Sequence, residues 1–573
     1  MILELHCVVA AFMNFVITTE SYCAEMSSGK KLSSYEDTFA TALNVDKWPM
    51  FSLLEQDFLE QVKLVCVFGS AGNEAILVTK DDDVFAIGSN ASSCLGIGEP
   101  ASGLEPRRVE QLCKKSVVSF AYGSGPHVLA LTTSGDIFSW GHNGYCQLGN
   151  GSTNQGSIPA LITINLSGHK IVQVACGSHH SVALSSNGEI YAWGQNNCGQ
   201  VGSGSTSNQA SPRKITSSIG HKRATWIACG QTSSMAVLEN GDIFGWGYNG
   251  NGQLGLGNNV NQPNPCRVSG LQGVFVTQVA CGYAHTLALS DEGELYSWGA
   301  NSYGQLGTGN KANLVIPTRI AAESGRFVDI AATHYNHISA GMTQMGHVYM
   351  WGQCRSQSIT LPMETRFQSM HDVFACFGMP SVTWKPLEVR FSESRSVSDS
   401  LLRAFDDPGT ADVRFSVEGR LIHAHRAVLK IRCEHFRTMF QSEWLETEKD
   451  VINIPYFTYP VYRAFLGFLY TDHVTDLTPE DAIGLLDLAN AYCEQQLKCI
   501  CESVLRCAIT VDNAAMLYAA AIKYDAVELK NFCFRFSLNH MTAVTQTEAF
   551  MHLDETVTKQ LIKLAAQFGA FKF

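Results

Sequence analysis

The chain has 573 residues, too many for one compact domain, and 45% of them are hydrophobic against 16% charged, which excludes a disordered chain. Forty Lys and Arg against 52 Asp and Glu leave a net charge of −12, so no strong basic field marks a binder of nucleic acid or anionic membrane. Nineteen cysteines, scattered and without a C-x-x-C pair, read as small buried thiols of a reducing compartment rather than as disulfides or zinc ligands.

At the N-terminus, residues 7–17 (CVVAAFMNFVI) form an apolar run too short to span a bilayer. Glu4 precedes it and no Lys or Arg comes before Lys30, which argues against a secretory signal. Residues 1–43 are therefore expected to be a disordered extension, with an alternative start upstream of Met26 or Met50 as a second reading. Nothing later in the chain resembles a membrane span.

An internal repeat follows. Trp140, Trp193, Trp246, Trp298 and Trp351 each precede a Gly, at separations of 53, 53, 52 and 53 residues, and Ile87-Gly88 extends the series one step back. Each period holds alternating runs such as IVQVACG, HSVALSSNG and EIYAWG, with turn signals such as Asn187-Gly188 and Asn240-Gly241, and ends in a glycine-rich loop. Alternation at period two predicts short antiparallel strands in a meander. Such a meander buries both its faces only by packing on copies of itself, which predicts a β-propeller over residues 44–385. Seven openings, from Phe68-Gly69 to the region of Cys376, face six closings, which favours seven blades over six. On that count a segment near Trp48-Pro49-Met50-Phe51 supplies the missing outer strand.

The glycine-rich loops join strands and lack the Lys of a phosphate loop, so their glycines are read as turn formers. His127, His180, His285 and His337 each fall four residues before Leu131, Leu184, Leu289 and Gly341, with Ser233 in the corresponding place of another repeat. They are expected to fix local turns by hydrogen bonds rather than to bind a metal. No nucleophile–base set emerges, and neither a cofactor nor a metal is expected.

Of the 49 glycines, 44 lie in residues 1–385 and five beyond, so the physics of the chain changes there. Residues 386–400 read as a linker. Beyond them apolar positions recur at helical spacing, with Ile483, Leu486, Ala489, Ala491 and Cys493 predicted to share one face. The group Cys493, Cys499, Cys501 and Cys507 matches no zinc spacing. Neither half is basic: residues 386–573 carry 19 Lys and Arg against 25 Asp and Glu.

The loops GHNGYCQLGNG, GQNNCGQVGSG, GYNGNGQLGLG and GANSYGQLGTG, following runs such as VACGSHH and VACGYAH, resemble the repeat of the regulator of chromosome condensation. That likeness implies a propeller and leaves function open, since such propellers serve as GTPase exchange factors, chromatin binders or interaction platforms. The uniform spacing leaves no room for a large exchange-factor insertion.

The second half resembles a BTB domain, through Thr410-Ala411-Asp412-Val413-Arg414-Phe415, Leu421-Ile422-His423-Ala424-His425-Arg426-Ala427-Val428-Leu429, Phe436-Arg437-Thr438-Met439-Phe440 and Phe468-Leu469-Tyr470-Thr471-Asp472. The likeness places an α+β BTB domain at 401–510 and an all-α, BACK-like region at 511–573. It implies a homodimer, with Leu401, Leu402 and Phe405 supplying an apolar face and Asp412 and Arg426 lining a charged groove. It also implies recruitment of cullin-3, through Trp444 and Glu446 after the Met439-Phe440 helix. A Trp is a strong interface anchor, and an adjacent Glu suits a basic partner.

Together these readings predict a non-catalytic substrate adaptor of a cullin-3 ubiquitin ligase, cytoplasmic or nuclear, whose propeller binds a protein substrate. Neither nucleic acid nor membrane is expected as a partner. Two alternatives stay open: a chromatin or transcription scaffold without cullin, marked by a basic propeller face, and a small-GTPase exchange factor, marked by acidic loops clustered on one face.

Overall fold

A computed structural model describes residues 45–568 except 46, 91, 217, 221, 390–396, 442–450, 473, 475 and 476. The N-terminal extension, Trp444, Glu446 and much of the expected linker lie outside the described residues.

Six antiparallel sheets, each built from four strands consecutive in the chain, follow one another from Val62 to Glu364. In blade 1 the order is Val62–Phe68, Glu74–Thr79, Val84–Gly88 and Gly103–Arg108. Blades 2 to 6 repeat this plan, beginning at Val117, Ile171, Ala224, Val276 and Phe327. The second strand of every blade is covered on both faces and reads as a nearly continuous apolar run, while the fourth, as in Gln209–Lys214, is polar and exposed.

The Trp-Gly marks are the joints of the ring. Each indole Nε1 donates to a backbone carbonyl of the preceding blade: Trp140 to Cys94, Trp193 to Gln147, Trp246 to Gln200, Trp298 to Gln253 and Trp351 to Gln305, at 2.7–2.9 Å. All five rings are fully buried, so each mark combines a large apolar contact with a satisfied donor.

The seventh opening is not a strand. Around Cys376 the chain forms the helix Met370–Phe377, started by Ser369, whose Oγ accepts from the N–H of His371 at 3.2 Å. Met370, Val373 and Phe374 sit at helical spacing and pack on blade 6, while Ala375 faces blade 1. Among the described residues the ring therefore has six blades of four consecutive strands and a helical seventh sector. Nor does the segment near Trp48 supply a strand: Pro49–Phe51 is one 3-10 turn, and Pro49 has no N–H to give to a ladder. Trp48 and Phe51 are buried against blade 1 instead, and the strand that pairs with the edge of blade 1 is Leu387–Glu388. Closure shows in bonds across the centre: Tyr335 of blade 6 donates to the carbonyl of Gly123 in blade 2 at 2.9 Å, and Tyr122 donates to that of Thr383.

Beyond the propeller, the strands Val413–Val417, Arg420–Ala424 and Val451–Ile454 form a three-stranded sheet with Val413–Val417 in the middle, parallel to Val451–Ile454 and antiparallel to Arg420–Ala424. Helices surround it, and one continuous core runs from Val413 to Leu561. The helix Pro479–Ala491 buries Ala482, Leu485, Leu486 and Ala489. Ala491 and Cys493 are exposed, contrary to the predicted face: the helix ends at Ala491, and Cys493 lies beyond it with a left-handed φ of 57°. Among the described residues no helix is long and apolar enough to cross a membrane.

Candidate partner-binding surfaces

The glycine-rich loops after the Trp-Gly marks are shaped by a buried asparagine in each of blades 1 to 5: Asn90, Asn143, Asn196, Asn249 and Asn301. Asn249 is typical. Its Nδ2 donates to the carbonyls of Asn258 and Val260 at 2.8 and 3.2 Å, and its Oδ1 accepts from the N–H of Leu254 at 2.9 Å. One side chain thus satisfies three backbone groups of the loop. The asparagines recur at the same spacing as the tryptophans, a signal the sequence carries openly.

His127, His180 and His285 bridge neighbouring blades, and His127 also fixes its local turn, with Nδ1 3.1 Å from the Gly125 carbonyl oxygen. His127 Nε2 lies 3.0 Å from Ser181 Oγ, which donates to the Gln147 carbonyl that also receives Trp193. The same relay runs from His180 to Ser234 at 2.9 Å and from His285 to Ser339 at 2.8 Å. Burial holds all three imidazoles far below the ordinary range, at about 3, so they are neutral. His337 is not their equivalent, because Ile338 is the residue that pairs with Gly352 as His180 pairs with Gly194. In blade 1 the slot holds Glu74, opposite Val128 where the later blades have Ser or Thr, so no relay forms and burial raises its carboxyl to about 7. Among the described residues no cluster of three or more His, Cys, Asp or Glu has metal-binding geometry.

The two faces of the propeller differ in charge. In blades 1 to 5 the loop-face segments 89–98, 142–151, 195–204, 248–257 and 300–309 contain no Asp, Glu, Lys or Arg, while the corresponding turn of blade 6 carries Arg355. Carboxylates gather at the opposite hairpins, and in four blades a basic residue 25 positions later neutralises one of them: Asp83 with Arg108 at 2.9 Å, Glu189 with Lys214 at 2.5 Å, Asp242 with Arg267 at 2.5 Å and Glu294 with Arg319 at 2.9 Å.

In blade 5 the hairpin face meets the C-terminal helices. His540 Nε2 lies 3.0 Å from Asp291 Oδ2, and Arg326 donates to the carbonyls of Asp291 and Ile509. Burial opposes the charge of His540, but Asp291, Glu292 and Glu294 outweigh it and raise its pKa.

In the BTB-like region, Leu401 and Phe405 are half-buried against the core and Leu402 is exposed. Asp412 and Arg426 do meet, through the backbone: Asp412 Oδ1 accepts from the N–H of Arg426 at 2.7 Å, at the start of the helix Arg426–Arg432. The Arg426 guanidinium lies over the Phe440 ring, 5.4 Å from its centre. Cys433 is buried, whereas Cys493, Cys499 and Cys507 are exposed thiols.

Six blades joined by Trp-Gly marks, with a three-stranded α+β module after them, agree with the comparisons. The profile of the RCC1-like domain matches residues 83–391, more than half of the chain, and that of the BTB/POZ domain matches residues 402–509. The chain belongs to the RCC1-like family. It is 33% identical over 289 residues to the ultraviolet-B receptor UVR8 of Arabidopsis thaliana, covering 50% of this chain and 65% of that one. It is 31% identical over 321 residues to the mitochondrial RCC1 domain-containing protein RUG3 of the same plant, covering 55% and 68%. With the E3 ubiquitin-protein ligase HERC2 of Homo sapiens it shares 33% identity over 310 residues, which is 53% of this chain but 6% of that one. An RCC1-like propeller followed by a BTB/POZ domain is the architecture of a protein-interaction adaptor.

Proposed function

We propose that this RCC1-like, BTB-bearing chain is a non-catalytic substrate adaptor of a cullin-3 ubiquitin ligase, working as a homodimer in the cytoplasm or nucleus. The BTB/POZ module docks the cullin and dimerises, and the propeller holds a protein substrate beside the transfer machinery. The effect is proximity, which turns a bimolecular transfer into a nearly intramolecular one, with dimerisation adding avidity.

The observation that carries this reading over its rivals is the charge of the two propeller faces. A chromatin scaffold calls for a basic face, and the loop face has no charged residue in its five inner segments. An exchange factor calls for free carboxylates on one face, and here four hairpin carboxylates are matched by Arg or Lys on their own blade. A neutral loop face suits recognition of a protein by hydrogen bonds and packing.

Co-elution of the purified full chain with cullin-3 tests this, comparing the wild type with the double variant Trp444→Ala, Glu446→Ala. The reading requires binding by the wild type and its loss in a variant that still dimerises. Absence of wild-type binding sinks it.

A further inference from the structure

Two inter-blade junctions on the loop face carry an exposed tyrosine packed on a histidine. Between blades 2 and 3, Tyr145 meets His179 edge to face with ring centres 4.7 Å apart. Between blades 5 and 6, Tyr303 stacks on His337 at 4.8 Å. Each pair is separated by the same 34 residues, and the corresponding positions at the two junctions between them are Cys198 with Thr232 and Asn251 with Ala284. The aromatic pairs are therefore additions to the repeat and not part of its architecture.

Both pairs are pinned from behind. Gln147 Oε1 accepts from the N–H of Tyr145 at 2.9 Å, and Gln305 Oε1 accepts from the N–H of Tyr303 at 2.9 Å. Ser178 Oγ lies 2.8 Å from His179 Nδ1, and Gln305 Nε2 lies 3.5 Å from His337 Nδ1. Tyr145 and Tyr303 nevertheless each keep 39% of their surface in solvent. Rings held in place before a partner arrives lose little entropy on binding, which is what makes tyrosine an efficient contact residue.

We propose that these Tyr–His pairs are two docking points for an uncharged peptide segment of a partner protein, one that lays a proline or aromatic ring on each pair. The charge of the surroundings selects that chemistry. The segments that carry the pairs, 142–151, 177–179, 300–309 and 333–337, contain no Asp, Glu, Lys or Arg, and Arg355, two residues after the Gln353 that bonds the His337 carbonyl, turns its Nε to the Cys376 carbonyl at 2.7 Å. A charged side chain pressed onto this surface sheds its water and meets no counter-charge, so it is rejected. Proline and aromatic rings pack on the tyrosine and imidazole faces. The inference rests on the propeller being the substrate-binding part of the chain.

A displayed library of random twelve-residue peptides, panned against the full chain, is the test. Enriched peptides are expected to carry proline or aromatic residues within a core free of Asp, Glu, Lys and Arg. Their affinity is expected to fall about tenfold or more in the double variant Tyr145→Ala, Tyr303→Ala and to change less than about threefold in the double variant Tyr145→Phe, Tyr303→Phe, which keeps the rings. Enrichment of charged cores, no enrichment over bare support, or binding indifferent to the alanine variant overturns the proposal. Cullin-3 co-elution of the same alanine variant is expected to match the wild type, so failure here and failure of the adaptor reading are told apart.

Discussion

His540 Nε2 lies 3.1 and 3.0 Å from the two carboxylate oxygens of Asp291, joining the C-terminal helices to the fifth propeller blade across 249 residues of chain. Glu292 stands 3.5 Å from the other ring nitrogen, and Arg326 of the next blade ties Asp291 to Ile509. Because the folded pKa of this histidine is raised, the contact is at full strength below its ordinary value of 6.5 and is lost as pH rises through the higher folded value. Hydrogen exchange around residues 509 and 540, corrected for intrinsic rates, is expected to quicken as pH rises above 6.5. In His540→Gln that pH dependence is expected to vanish.

The relay histidines predict the opposite slope for the propeller. His127, His180 and His285 are held near 3 by burial, so the unfolded chain binds protons that the folded one does not once pH falls below about 6.5. At pH 5 each such group costs roughly 2 kcal/mol. Thermal melting is expected to show the propeller losing stability steadily from pH 6.5 to 5, and less steeply in His180→Gln.

Glu74 breaks the relay in blade 1. Its carboxyl, raised to about 7 by burial with Oε2 unpartnered, destabilises the fold as pH climbs above the ordinary 4.5. Glu74→Gln is therefore expected to raise the melting temperature at pH 8 and to change it little at pH 4.

Two polar substitutions in the fourth blade are expected to differ sharply. Asn249→Ala strands buried backbone groups of a loop and is expected to cost on the order of 2–4 kcal/mol in denaturant titrations. Arg267→Ala removes a surface ion pair with Asp242 and is expected to cost under about 1 kcal/mol, less again in high salt.

Much of this architecture is written at the level of the repeat. The Trp-Gly spacing locates the blade joints because a buried indole must find both a pocket and an acceptor, and each blade supplies them at the same place. Asn90 to Asn301 were equally legible, as a fixed spacing of 52 or 53 residues. His337 misleads because Met342, not Gly341, stands where the other repeats have Leu184 and Leu289, so counting back four from Gly341 lands one residue short of Ile338. The helical seventh sector was hidden because Met370–Phe377 forms just over two turns, too short for its period to stand out against strands. The bond between His540 and Asp291 lies beyond any local pattern, since it depends on how two modules meet.

The adaptor account is tested most directly by the mass of the complex formed when the full chain is mixed with cullin-3, read by light scattering on an eluting column. The account predicts two copies of this chain with two of the cullin. A dimer that elutes without added mass, or a monomer at any concentration, contradicts it.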